Sequence, residues 1–456
     1  MNLILLSGGS GKRLWPISND ARSKQFLKLL NNETNLESMV QRVWRQLKEA
    51  GLQSSTVIAT SKAQVEILKS QLGSTVPLII EPERRDTFPA VALAASYMYS
   101  KKNLSLDTVI AVLPVDPYVN IDFFNRIQEL ENTLIKSHAD LALVGVKPTY
   151  ASEKYGYIVT KNKSSNDYLE VSRFKEKPSE YEAATLISQN AYWNCGVFAF
   201  KLKYIVSILE ARNMPVQYDE LLKNYNDLEK ISFDYAVVEK AEKITMLPYN
   251  GEWKDLGTWN TLTDEMEAMV SGKGIISEDS VNTHIINELD IPIAVLGIKN
   301  AVVAASYDGI LVTDKIESPN IKKLMKDFEQ RPMYEERHWG WYKILDYTKY
   351  PGQKEVLTKR IGIKAGSNLS YQKHFARTEI WTITNGYGEL AIDDQIKNIK
   401  AGDVITIPIG TKHGIKALQD LEIIEVQYGN QLIDEDILRL NTDWDEVKAL
   451  CKVNYK

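Results

Sequence analysis

Cysteine is nearly absent: Cys195 and Cys451 are the only two in 456 residues. Two thiols cannot build a disulfide framework, and they fit a protein of the reducing cytoplasm. Long apolar runs are missing as well. The N-terminal run Leu3–Leu6 is too short for a secretion signal and has no basic segment ahead of it, and nothing approaches a membrane span. Positive charge is not in excess: 55 Lys and Arg face 60 Asp and Glu, a formal net charge of −5 with no basic cluster, which excludes a nucleic-acid footprint. Repeats and low-complexity tracts are also lacking. What remains is a soluble mixture, 44% hydrophobic and 25% charged, in a chain too long for one core, so two or three domains are expected.

The most informative passage is Ser7-Gly8-Gly9-Ser10-Gly11-Lys12-Arg13-Leu14-Trp15-Pro16, directly after the first apolar run. A buried strand followed by a glycine-rich turn presents backbone N–H groups to phosphate, while Lys12 and Arg13 supply charge-assisted hydrogen bonds. The plainer alternative is a surface turn with chance basic residues. The spacing is neither G-x-x-x-x-G-K-[ST] nor a full G-x-G-x-x-G, so neither a P-loop ATPase nor a dinucleotide fold fits.

Up to about residue 262, apolar strands (Leu3–Leu6, Thr56–Ala59, Leu78–Ile80, Thr108–Leu113, Leu141–Val146) alternate with helical spacing over Asn35–Ala50 and Ala90–Ser100. This alternation predicts a parallel sheet covered on both faces, with ligand sites at the strand C-termini. Gly272–Lys315 has short apolar runs between turn residues and reads as a small β unit, and Ile321–Phe328 as a connecting helix. Glu355–Ile363, Thr378–Thr384, Gly388–Ile392, Asp403–Ile407 and Leu421–Val426 predict a β-sandwich or barrel, with Asp434–Cys451 helical. The expected units are 1–265, 266–332 and 333–456. Trp339, Trp341 and Tyr342 could pack between domains or between the subunits of a homodimer.

Asp116 and Asp255 both end strands, and paired carboxylates beside phosphate are the hard oxygen donors that Mg²⁺ takes; each aspartate alone could also be a capping or turn residue. Tyr155-Gly156-Tyr157-Ile158 offers a close backbone approach, and Glu176-Lys177-Pro178 and Trp193-Asn194-Cys195-Gly196 add charge and an amide. Taken in order with Glu81-Pro82, Arg85-Asp86-Thr87, Pro89-Ala90 and Asp255-Leu256-Gly257, these passages resemble the mannose-1-phosphate guanylyltransferases of the long bacterial type. The resemblance implies a Rossmann-like, GT-A-like nucleotidyltransferase domain that makes GDP-mannose from GTP and mannose 1-phosphate. It also implies that Arg13 and Lys24 hold the triphosphate, with Gly8, Gly9, Gly11, Arg85 and Thr87 also on the nucleotide side. Asp116 and Asp255 would bind Mg²⁺, Lys177 the sugar phosphate, and Glu176 and Asn194 its hydroxyls near Gly156. The family usually has Arg-Asn-Thr where this chain has Arg85-Asp86-Thr87, and Ala-Asp-His where it has Val115-Asp116-Pro117, which leaves another sugar 1-phosphate open. A catalytically silent sugar-nucleotide sensor is the reading from a different class.

Two of the five histidines, His374 and His413, lie in the C-terminal β region. Gly366, Gln372, His374, Glu379 and Gly386, then Gly402, Pro408-Ile409-Gly410 and His413, resemble the two-part cupin spacing. Gln372 and His374 face one way on a strand, whereas Glu379 has an odd offset and joins them only across a turn or bulge. This donor set suits Zn²⁺ or a similar divalent ion. In some long-type relatives such a domain carries mannose-6-phosphate isomerase activity. Ala376 and Ile380, standing where two histidines are usual, argue against that activity here, and Arg377 reads as a sugar-phosphate ligand or a rim cation.

Overall fold

The first apolar run becomes an interior strand of the largest sheet. In the computed structural model, which describes residues 1–453 except 10, 33–34, 162–166, 329, 353, 431 and 434–435, Asn2–Ser7 pairs in parallel with Thr56–Ser61 and Val109–Pro114. Leu3 and Leu5 enter one apolar cluster and Ile4 the other, all three with no exposure, because helices cover both faces. A strand buried on both sides has to read as an unbroken apolar run.

The sheet has nine strands, in the order Leu78–Glu81, Thr56–Ser61, Asn2–Ser7, Val109–Pro114, Tyr192–Lys201, Leu141–Val146, Ile244–Tyr249, Leu169–Lys175 and Tyr157–Thr160. It is mixed rather than parallel. Tyr192–Lys201 runs antiparallel to both its long neighbours, and Leu169–Lys175 runs antiparallel to both of its own. After Val146 the chain makes an antiparallel ribbon instead of a helical crossover, which removes the constraint that keeps strands parallel. The helix expected over Asn35–Ala50 is shorter, Met39–Glu49, because Asn35–Glu37 pairs with Leu30–Asn32. Ser38 and Gln41 then close a capping box that fixes where the helix begins.

In the linking segment, Val270–Ser271, His284–Asn287 and Ala301–Ser306 stack in parallel, and Gly309–Asp314 closes the sheet antiparallel. The connecting helix is only Ile321–Leu324: Leu324 and Phe328 are exposed, and the buried face ends at Met325. The C-terminal part is two six-stranded sheets, one centred on Glu355–Ile363 and Leu421–Gly429, the other on His413–Ala417 and Tyr387–Ile392, with Tyr371–His374 beside His413–Ala417. The helix expected over Asp434–Cys451 is also corrected: Asp434 lies outside the described residues, Ile437–Asn441 is a strand beside Tyr371–His374, and the helix is Trp444–Leu450, capped by Asp443.

The units are tied together. Strand Tyr334–Arg337 packs against helix Val65–Leu72. There Glu336 accepts hydrogen bonds from Ser70 Oγ at 2.7 Å and Lys28 Nζ at 3.3 Å, and His338 meets Glu66. Among the described residues no helix is long and apolar enough to cross a membrane.

Candidate active site

Asp116 and Asp255 are brought together by a small antiparallel ribbon, Pro117–Val119 against Trp253–Asp255, in which Asp255 pairs with Pro117. Between the two carboxylates lies Lys24, with Nζ 2.7 Å from Asp116 Oδ2 and 2.5 Å from Asp255 Oδ1. Burial disfavours the Lys24 ammonium, but the two aspartates outweigh it and hold its pKa above the ordinary lysine value. Burial likewise opposes the Asp255 charge, and Lys24 with Arg13 nevertheless keeps its pKa below the usual carboxylate range. Gly257 is required here: a Cβ would stand 2.9 Å from Asp255 Oδ1.

Two cavities adjoin at this cluster. One, about 340 Å³, is walled by Gly8, Gly9, Arg13, Lys24, Asp116 and Lys322 among others. Gly9 has φ +123, a backbone conformation that favours glycine. Gly11 opens the short helical turn Gly11–Leu14, while Ser10 and the Lys12 side chain lie outside the described residues. The second cavity, about 200 Å³, is walled by Lys24, Asp116, Asp255, Tyr155, Asn194 and Trp253 among others.

Behind the second cavity stands a polar group that includes one residue sequence reasoning missed. Asn194 Nδ2 donates to Asp234 Oδ1 at 2.8 Å, and Lys177 Nζ to Glu176 Oε1 at 2.6 Å. Asp234 is half-buried beside the charge of Glu176, and its pKa is pushed up to about 7, first by desolvation and then by Glu176. Glu176 Oε2 is buried without a hydrogen-bond partner. Gly156 lets this happen: a Cβ there would meet Glu176 Oε2 at 2.5 Å. Asp234 sits in a four-residue helix with no periodic signal; the hint was an isolated acid between Phe233 and Tyr235.

Arg85 and Thr87 are not brought to either cavity. Arg85 Nη1 donates to the Leu228 carbonyl at 2.9 Å, and Thr87 Oγ1 accepts from the Phe233 N–H at 2.8 Å, so both fix the segment that carries Asp234. Asp86, at φ +68, caps helix Thr87–Ser100 by accepting the Thr87 N–H at 2.8 Å. A carboxylate serves this cap as an amide would.

In the barrel, His374, Glu379 and His413 place their ligand atoms within 4.8 Å of one another, all buried. The odd offset of Glu379 is resolved because the chain changes sheet at Phe375-Ala376, between Tyr371–His374 and Arg377–Asn385. Gln372 Nε2 lies 3.3 Å from His374 Nε2. His413 Nδ1 faces the Thr411 carbonyl at 3.0 Å, which assigns the proton to Nδ1 and leaves Nε2 bare and without a hydrogen-bond partner, 3.5 Å from Glu379 Oε2. Burial pushes the His374 pKa down to about 4. Ile380 is on the outward face of its strand, so a substitution there removes no interior ligand. Arg377 is no rim cation: it is buried and held by Glu379 at 2.9 Å and Asp436 at 3.5 Å. Glu425, a further residue missed from sequence, accepts from Trp381 Nε1 at 3.2 Å, and burial and then the Glu379 charge push its pKa up to about 7. A cavity of about 580 Å³ opens here, walled by Arg377, Glu379, Glu425 and Arg439 from the barrel and Lys62 and Glu66 from the first unit.

Residues 2–272 match the family described as nucleotidyl transferase, and residues 326–442 that described as mannose-6-phosphate isomerase C-terminal. Mannose-1-phosphate guanylyltransferase 2 of Escherichia coli O157:H7 is 28% identical over 480 residues, covering 96% of each chain. The xanthan biosynthesis protein XanB of Xanthomonas campestris pv. campestris (strain B100) is 30% identical over 471 residues, 96% of this chain and 97% of its own. A solved structure described as mannose-1-phosphate geranyltransferase from Thermus thermophilus superposes with a TM-score of 0.61 at 26% identity, over 72% of this chain and 99% of that one.

Proposed function

Because the chain belongs to the nucleotidyl transferase family and carries a mannose-6-phosphate isomerase C-terminal module, we propose that it transfers a guanylyl group from GTP to mannose 1-phosphate, giving GDP-mannose and pyrophosphate. One observation carries this reading: two adjoining cavities share Lys24 and Asp116. The glycine-rich cavity takes the triphosphate, and the cavity at Asn194 takes the sugar phosphate. The reacting atoms then meet at the Lys24–Asp116–Asp255 cluster.

An oxygen of the sugar phosphate, already ionised near neutral pH, attacks the α-phosphorus, the bond to the bridging oxygen breaks and pyrophosphate leaves. No general base is needed, so catalysis is positioning and charge neutralisation. Arg13 and the N–H groups of the glycine turn hold the triphosphate. Lys177 meets the sugar phosphate, and Glu176, Asn194 and Asp234 read its hydroxyls. Asp116 and Asp255 fit Mg²⁺, since they already converge on one cation, the Lys24 ammonium, with hard oxygen donors. Bound there, the ion supplies charge neutralisation at the transferred phosphate.

The barrel supports a second reading. His374, Glu379 and His413, with Gln372 beside them, are the donors for Zn²⁺ or a similar divalent ion, and the bare Nε2 of His413 is the orphaned group such an ion would satisfy. Pyrophosphate release, measured over a panel of nucleoside triphosphates and sugar 1-phosphates with Mg²⁺, tests the transferase reading. Turnover with GTP and mannose 1-phosphate is expected, and no turnover with any pair overturns it. Conversion of mannose 6-phosphate to fructose 6-phosphate tests for an isomerase in the barrel.

A further inference from the structure

The wall of the triphosphate cavity includes one residue from beyond the stretch that matches the nucleotidyl transferase family. Lys322 lies on the short helix Ile321–Leu324 of the linking segment, yet it lines the cavity with Gly8, Gly9 and Arg13. We infer that Lys322 is a cationic ligand of the β- and γ-phosphates, so that the nucleotide site is complete only when the linking segment is docked. The inference rests on the reading that this cavity takes a nucleoside triphosphate.

Charge supports it. The cavity wall holds three cations, Arg13, Lys24 and Lys322, against one acid, Asp116. Lys24 is committed to Asp116 and Asp255. Lys322 is exposed, lines the cavity and makes no ion pair among the described residues. Cations facing one cavity repel one another unless an anion is bound between them. The sequence Ile321-Lys322-Lys323-Leu324 alone would pass for a solvated face; the cavity wall is what sets Lys322 apart from Lys323.

The linking segment is held against the glycine-rich passage at several points, so Lys322 is placed rather than loosely tethered. Ile321 and Met325 pack in one apolar cluster with Leu14 and Ile17. Ser306 Oγ donates to the Pro16 carbonyl at 2.6 Å, and Asn19 Nδ2 to Asp308 Oδ2 at 2.8 Å. Arg22 forms a two-pronged pair with Glu288, both bonds 2.8 Å. These contacts fix the Ile321–Leu324 helix relative to the turn that carries Arg13.

The test compares binding of GTP and GMP to the full chain and to K322A, K322R and K323A. K322A is expected to bind GTP more weakly by on the order of tenfold, the loss of one charge-assisted contact. GMP binding and the KM for mannose 1-phosphate are expected to stay unchanged, K322R to recover most of the GTP affinity, and K323A to match the parent. Equal weakening of GTP and GMP, or no weakening of either, overturns the assignment. If the parent chain binds no nucleoside triphosphate, the proposed function has failed instead. Inorganic pyrophosphate then decides the role of Lys322: binding that weakens in K322A supports an anion ligand, and unchanged or absent binding overturns it.

Discussion

Lys24 Nζ stands 2.5 Å from Asp255 Oδ1 and 2.7 Å from Asp116 Oδ2, so one ammonium bridges two carboxylates from distant parts of the chain. Replacing Asp255 by Ala is expected to reduce guanylyl transfer by at least about 10²- to 10³-fold, the size seen when one preorganised transition-state contact is lost. Pyrophosphate release beside a thermal unfolding curve makes the check, and unaffected turnover in a folded variant refutes the role.

Asp234 links pH to stability. Its pKa rises on folding from 3.8 to about 7, through burial and then the neighbouring Glu176. The sign follows: between pH 4 and 7 the native state holds a proton that the unfolded chain has released, so this group's contribution falls as pH rises through about 7. Asp234→Asn, which keeps an acceptor for Asn194, should flatten that slope in denaturant titrations at pH 5 and pH 8. It should also raise the KM for mannose 1-phosphate while leaving the KM for GTP in place.

Gly309 has φ +150, and a Cβ on it would stand 2.5 Å from the Trp15 ring. Gly309→Ala is therefore expected to lower stability by about 1–3 kcal/mol, as overpacking does, and to raise the KM for GTP, because Trp15 belongs to the glycine-rich passage. Denaturant midpoints and steady-state kinetics read the two effects separately.

Elemental analysis of the purified protein should find a bound divalent metal, held by the three buried barrel donors His374, Glu379 and His413. His413→Ala should lose it while guanylyl transfer continues at its normal rate, since His413 lines neither transferase cavity. Metal retained in that variant argues against the assigned donors.

The strands with both faces buried were legible because an unbroken run such as Leu141–Val146 has no other easy reading. Tyr192–Lys201 carries no clear strand signal: Asn194 and Gly196 interrupt its apolar pattern, and its antiparallel direction follows from a ribbon that lies elsewhere in the chain. In the site, Arg13, Lys24, Asp116 and Asp255 could be picked out by their place in motifs, but that Lys24 would sit between the two aspartates depends on a ribbon pairing. Glu425 and Gln427 did leave a signal. They continue the inward alternation of Leu421 and Ile423, and polar residues at buried strand positions mark a lined cavity. Lys322 left none, since one lysine in a basic stretch gains meaning only from what it faces.

The barrel cavity takes part of its wall, Lys62 and Glu66, from the transferase unit. A gene cut between the two units would therefore yield two proteins with altered surfaces: a barrel open on one side, and a transferase domain with helix Val65–Leu72 stripped of its contact with strand Tyr334–Arg337. Substitutions along helix Val65–Leu72 are selected on both sides at once, so this stretch should drift more slowly than its distance from the phosphate chemistry suggests.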